Sequence, residues 1–79
     1  MRLDKFLKAS RLIKRRTVAN EACDNGHVTV NGRIARASLD IKPGDEITIA
    51  FGERTVSVRV KDVRETAFKS DAAEMYELI

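Results

Sequence analysis

Apolar residues recur every three or four positions near the start of this chain and every second position from residue 28 onward. Leu3, Phe6, Leu7 and Ser10 fall at helical spacing, with Arg2, Lys5 and Lys8 toward the other side, which predicts a first helix over residues 3–9. Val18, Ala19, Ala22 and Cys23 repeat the stripe, and Asn25-Gly26 can close it in the left-handed conformation, so a second helix is expected over residues 15–25. Val28 and Val30 then alternate with polar neighbours, and Asn31-Gly32 supplies the positive φ angles of a two-residue hairpin turn. Lys42-Pro43-Gly44-Asp45 has the chemistry of a turn, because Pro presets φ and Gly accepts the positive φ that follows. Ile47, Ile49 and Phe51 alternate on one strand, Gly52-Glu53-Arg54 turns the chain, and Val56, Val58 and Val60 alternate on an antiparallel partner. The pattern weakens into a connector from Lys61 to Lys69. Ser70-Asp71-Ala72-Ala73-Glu74 predicts the start of a terminal helix whose Met75, Leu78 and Ile79 would close over the core.

The expectation is one α+β domain over residues 1–79, with two N-terminal helices packed on a small antiparallel sheet and a short C-terminal helix. A chain of 79 residues buries only roughly 60–65% of its unfolded surface, so the core must be small. No apolar run approaches the roughly 18–20 residues of a membrane span, and residues 1–6 alternate charged and apolar groups, unlike a signal peptide. A cytoplasmic protein without a membrane partner is expected.

Charge separates the chain into halves. Residues 1–36 carry nine Lys/Arg against Asp4, Glu21 and Asp24, a net of +6; residues 37–79 carry six against nine acids, a net of −3, which together make the overall +3. A basic half attracts polyanions by neutralising phosphates and releasing counterions, which suits RNA, DNA or an anionic membrane alike. One cysteine and one histidine leave no set of zinc ligands, so neither metal nor cofactor is expected. Cys23 lies on the apolar stripe, where a thiol behaves as a small hydrophobe. His27 opens a strand with no serine, cysteine or paired carboxylate at catalytic spacing. Tyr76, in a segment with little positive charge, is assigned to packing or a protein contact.

Arg2-Leu3-Asp4-Lys5-Phe6-Leu7, Arg15-Arg16, Gly26-His27-Val28-Thr29-Val30-Asn31-Gly32 and Lys42-Pro43-Gly44-Asp45 resemble, in order and spacing, the S4 RNA-binding domain over residues 1–49. Each motif is weak alone; their order makes the match specific. Arg11-Leu12-Ile13-Lys14-Arg15-Arg16-Thr17 and the ending Ala72-Ala73-Glu74-Met75-Tyr76 extend the likeness to the small stand-alone S4 proteins of bacterial ribosome-associated quality control. A heat-shock group of the same family, which recycles free large subunits carrying nascent chain-tRNA, is a more distant match. The resemblance implies an S4-type fold and a non-enzymatic factor that binds a large ribosomal subunit obstructed by peptidyl-tRNA, through rRNA and tRNA contacts. It also implies support of C-terminal alanine tailing, with the tRNA-delivering factor RqcH as partner; a monomer is expected. Many family members carry a capping Ser where this chain has Lys14.

Arg16 is the foremost candidate contact, since a planar guanidinium can grip phosphate bidentately or stack on a splayed base. Arg2 and Lys5 would join it from the first helix, with Arg11, Lys14 and Arg15 flanking the same surface and fixing position on the backbone. The basic first turn of the second helix opposes the helix dipole, yet suits a phosphate. Asp4 is expected to order a neighbouring arginine rather than touch RNA, because a carboxylate can receive a bidentate guanidinium. Arg33 follows the Asn31-Gly32 turn and is the candidate on that side; Lys8 and Arg36 are as readily solvated charges as contacts. S4 domains also accompany pseudouridine synthases, methyltransferases and tyrosyl-tRNA synthetases, but 79 residues from Met1 are expected to leave no room for a catalytic domain. A helix-turn-helix DNA reader is disfavoured, because the second helix offers few side chains that read bases in a major groove.

Overall fold

The backbone's need for partners along one edge after another produces a five-stranded antiparallel sheet, covered on one face by two short helices. The computed structural model describes residues 1–63 and 72–79. In chain order the elements are α1 (Leu3–Ala9), α2 (Arg16–Asp24), β1 (Val28–Val30), β2 (Arg33–Ile34), β3 (Glu46–Phe51), β4 (Arg54–Val60) and β5 (Tyr76–Leu78). The strands lie in the order β2-β1-β3-β4-β5.

Alternation decides which face is dry. Register aligns Val30, Ile47, Val58 and Leu78 in one row and Val28, Ile49 and Val56 in the next, all on the face beneath the helices. Leu3, Phe6 and Leu7 of α1 and Ala19 and Cys23 of α2 close over these rows, joined by Ile13, Ala35, Ala37, Ile41 and Met75. The opposite face is polar: Thr48 and Ser57 share a hydroxyl hydrogen bond at 3.1 Å, and Arg59 pairs with Glu46 at 3.6 Å and Glu77 at 3.1 Å. One packed and one solvated face is the usual economy of an antiparallel sheet.

Two turns are pinned to one another by a buried carboxylate. Asn31 and Gly32, at φ 53° and 83°, link β1 to β2, and Gly44 at φ 98° follows Pro43 in the turn before β3. Asp45 accepts the Lys42 amide at 3.0 Å and the Asn31 side-chain amide at 3.2 Å, while the Asn31 side-chain oxygen accepts the Glu46 amide at 3.0 Å. The C-terminus of α2 is closed by Gly26 at φ 81°, with the Gly26 amide donating to Cys23 and that of His27 to Ala22.

Several expectations are corrected. The second helix runs from Arg16 to Asp24, with Arg15 extended before it and Asn25 as its C-cap. Val18 is half exposed, because α2 turns its Ala19–Cys23 edge to the core. Phe51 is likewise exposed, lying at the far end of β3 opposite Arg54, past the helices, and Arg54 opens β4 instead of belonging to the turn. Of the expected terminal helix, Ala72 is helical and the proposed start at Ser70-Asp71 lies outside the described residues, but the helix does not continue to the C-terminus: Tyr76–Leu78 form β5, which satisfies the outer edge of β4. Met75 is buried as expected, but Leu78 and Ile79 are exposed at the sheet's edge.

Asp45→Ala should leave the Lys42 amide and the Asn31 side chain without their acceptor and lower the unfolding free energy by about 1–3 kcal/mol. Urea denaturation checks this, with a reduced midpoint and an unchanged slope expected.

Candidate nucleic-acid interface

Asp4 occupies the first turn of α1 and its side chain is only 2% exposed, a costly place for a charge unless it is fully partnered. It is. Arg2 approaches it side-on, Nε to Oδ1 at 3.2 Å and Nη2 to Oδ2 at 3.3 Å. Arg16, at the start of α2, brings its Nε to Oδ2 at 3.5 Å, the Asn20 amide donates to the same oxygen at 3.1 Å, and the Lys5 backbone amide donates to Oδ1 at 2.8 Å. Burial pushes the Asp4 carboxyl up, but Asn20, Arg16, the Lys5 amide and Arg2 together outweigh it and hold it below the usual carboxylate range. The two guanidiniums remain about half exposed, 51% for Arg2 and 48% for Arg16. Each is held by one edge and leaves other N–H donors toward solvent, beside a shallow groove of about 420 Å³ bordered by Thr17 and Glu21.

The N-terminus of α1 is itself held from outside the helix. Leu3 and Asp4 donate their amides to the carbonyls of Leu39 and Ala37 at 2.8 and 3.1 Å, and Arg2 forms an isolated bridge with Asp40. Residues 37–40 therefore fix the segment that carries Arg2 and Asp4.

Of the expected contact residues, the structure brings Arg2 and Arg16 together on Asp4. Lys5 lies half-buried on α1, and Arg11, Lys14 and Arg15 are exposed along the connection that leads into α2. Arg11 has φ 63°, the left-handed conformation in which glycine is the usual occupant, and its amide closes α1 on the Lys8 carbonyl at 3.0 Å. Arg33 stands apart, bordering with Arg36 and Lys42 a separate depression of about 750 Å³. Asn20, which anchors the Asp4 oxygen shared with Arg16, was not anticipated; its one sequence signal is its place four residues after Arg16, on the same helix face.

The S4 domain profile matches residues 1–47. The chain is 54% identical over 79 residues to the RQC P-site tRNA stabilizing factor of Bacillus subtilis, covering 100% of this chain and 92% of that one. It is 51% identical to the protein of the same name from Streptococcus pneumoniae, covering 100% and 90%. Heat shock protein 15 of Escherichia coli is 38% identical over 98% of this chain and 59% of its own. Among solved structures, the trimeric Heat Shock Protein 15 of Vibrio cholerae superposes with a TM-score of 0.93 at 28% identity, over 100% of this chain and 81% of that one. The fold is that of an S4 domain. The chain belongs to the S4-domain family, in the branch of the RQC P-site tRNA stabilizing factors.

Two outcomes follow from the geometry. Because the folded state holds Asp4 below the ordinary value of 3.8, its contribution to stability is complete above that value and is lost as pH falls through the lower folded value. The acid limb of a stability–pH profile below about pH 4 should therefore be shallower in Asp4→Asn than in the unmodified protein. Arg11→Gly should raise the unfolding free energy by about 0.5–1 kcal/mol, since glycine carries no Cβ penalty at positive φ; thermal melting checks it.

Proposed function

We propose that this chain is a non-enzymatic RNA-binding factor of bacterial ribosome-associated quality control, acting in the cytoplasm on large subunits obstructed by peptidyl-tRNA. The observation that carries the reading is the Asp4-ordered pair of guanidiniums, exposed on the basic half of a chain whose full-length relatives bear the name RQC P-site tRNA stabilizing factor.

A phosphate approaching Arg2 and Arg16 meets two cations whose orientation Asp4 has already set, so little side-chain entropy is lost on contact. Arg15, Lys14, Arg11 and Lys5 extend the positive surface and fix the register of the RNA backbone, while Arg33 reaches it from the hairpin. Holding a tRNA in place requires positioning and no bond making, and the chain's part in alanine tailing is to steady the peptidyl-tRNA while an RqcH-type factor delivers the next aminoacyl-tRNA. It works as a monomer within that assembly. The heat-shock reading, recycling of free subunits, is the weaker one: this chain spans 59% of the Escherichia coli protein but 92% of the Bacillus subtilis factor.

Tagged protein and its Arg16→Ala form, pulled from a bacterial lysate with sequencing of bound RNA and identification of bound proteins, test the assignment. Large-subunit rRNA with tRNA and a tailing factor, lost in the variant, is expected; recovery without ribosomal material overturns it. In purified binding assays Arg16→Ala should flatten the salt dependence of affinity by about one unit of slope, the signature of one phosphate contact removed. Asp4→Asn separates orientation from charge. Removing a negative charge near RNA would strengthen binding if electrostatics alone mattered, whereas loss of the clamp should weaken it severalfold.

A further inference from the structure

Between the C-terminal half of α2 and residues 34–38 lies a hollow of about 450 Å³, within the roughly 300–1,000 Å³ of small-ligand sites. One wall is Ile34, a large apolar side chain that stays 73% exposed, although its Cδ1 leans to 3.9 Å from where a Cβ on Gly26 would lie. Asp24 and Ser38 supply polar groups: one Asp24 oxygen accepts the Ala37 amide at 3.3 Å, and among the described residues the other oxygen and the Ser38 hydroxyl have no hydrogen-bond partner. Its rims are cationic. Arg2 borders this hollow as well as the groove beside Asp4, and Arg36 borders it as well as the depression with Arg33 and Lys42. Three depressions thus share their boundary arginines and form one track from the start of α2 to the turn at Lys42. Among the described residues Arg33 and Arg36 enter no ion pair, while Asp40 and Asp45 share the last depression with Lys42 and offset part of its charge.

We propose that this hollow receives one unstacked nucleobase of the bound RNA, with the phosphates on either side held by Arg2 and Arg36. The chemistry of each wall fits a base and its two neighbours. Ile34 offers an apolar surface to the ring face, Ser38 and the free Asp24 oxygen meet the polar edge, and a carboxylate oxygen favours a base that presents an exocyclic amino group, adenine, cytosine or guanine over uracil. A duplex cannot enter, because its bases are stacked and paired, so the hollow selects a bulge, loop or strand end. This deepens the RNA-binding reading and rests on it: the arginines supply affinity, and the hollow supplies preference for an unpaired nucleotide.

The test titrates protein labelled at isoleucine methyls with AMP, CMP, GMP, UMP and ribose 5-phosphate, followed by NMR. Expected is a saturable shift of the Ile34 methyl and of the Ala37 and Ser38 amides with AMP, CMP and GMP, and binding about tenfold weaker for ribose 5-phosphate, the size of one base contact. Ile34→Ser should erase the difference between nucleotide and sugar phosphate while its amide spectrum stays that of the folded chain. Should that variant not fold, Ser38→Ala and the comparison of AMP with ribose 5-phosphate on unmodified protein decide the matter. Equal binding of AMP and ribose 5-phosphate, with unfractionated tRNA still bound and weakened by Arg16→Ala, overturns the base site and leaves the RNA-binding surface standing. Failure of tRNA to bind at all overturns both.

Discussion

A single buried carboxylate organises the face of this protein. Asp4 is shut off from water, and a charge in that position persists only because five donors from Arg2, Lys5, Arg16 and Asn20 surround it. Those donors come from the lead-in to α1, from α1 itself and from two positions on α2, so the carboxylate ties both helices to one point. The consequence is as much directional as energetic: two arginines on different elements, which would otherwise sweep freely through solvent, are aimed together.

The sheet supports this by an indirect route. Strands β1, β3 and β4 make the platform on which Leu3, Phe6 and Leu7 rest. The excursion between β2 and β3 then returns across the molecule, burying Ala35, Ala37 and Ile41, and presents the carbonyls of Ala37 and Leu39 to the open amides of α1. Asp45, at the close of that excursion, ties it to the β1–β2 turn through Asn31 and holds its own approach through the Lys42 amide. The residues that fix Arg2 in space thus include one that lies 43 positions away.

Local chemistry made much of this legible from the residues alone. The bounds of α1 follow from the spacing of Leu3, Phe6 and Leu7, and both turns follow from Asn31-Gly32 and Pro43-Gly44, because each depends on neighbours in sequence. The likelihood of an arginine seeking Asp4 could also be read, but not that Arg16 would meet it, since the crossing of α1 and α2 brings together groups twelve residues apart without leaving any periodic trace. The ending misled for a related reason. Alanines and a glutamate suggest a helix, whereas the open edge of β4 recruits Tyr76–Leu78 as a strand, a tertiary demand that overrides a weak local preference. Residues 33–42 carry no clear period, and so the continuity of Arg36 with Arg2 was invisible until the chain was folded.

Helices of seven and nine residues are too short to persist in water by themselves. The arginine pair therefore has no existence in the unfolded chain, nor in any fragment lacking the sheet, and recognition is an all-or-none property of the finished fold. By mass action, any ligand that gripped the pair would also hold the two helices to the platform and add to the protein's stability, the more so the more tightly it bound. For a small domain with a modest core, the partner is then also a folding ligand: a free molecule is the more vulnerable one to unfolding and proteolysis, and an engaged molecule is protected for as long as it remains engaged.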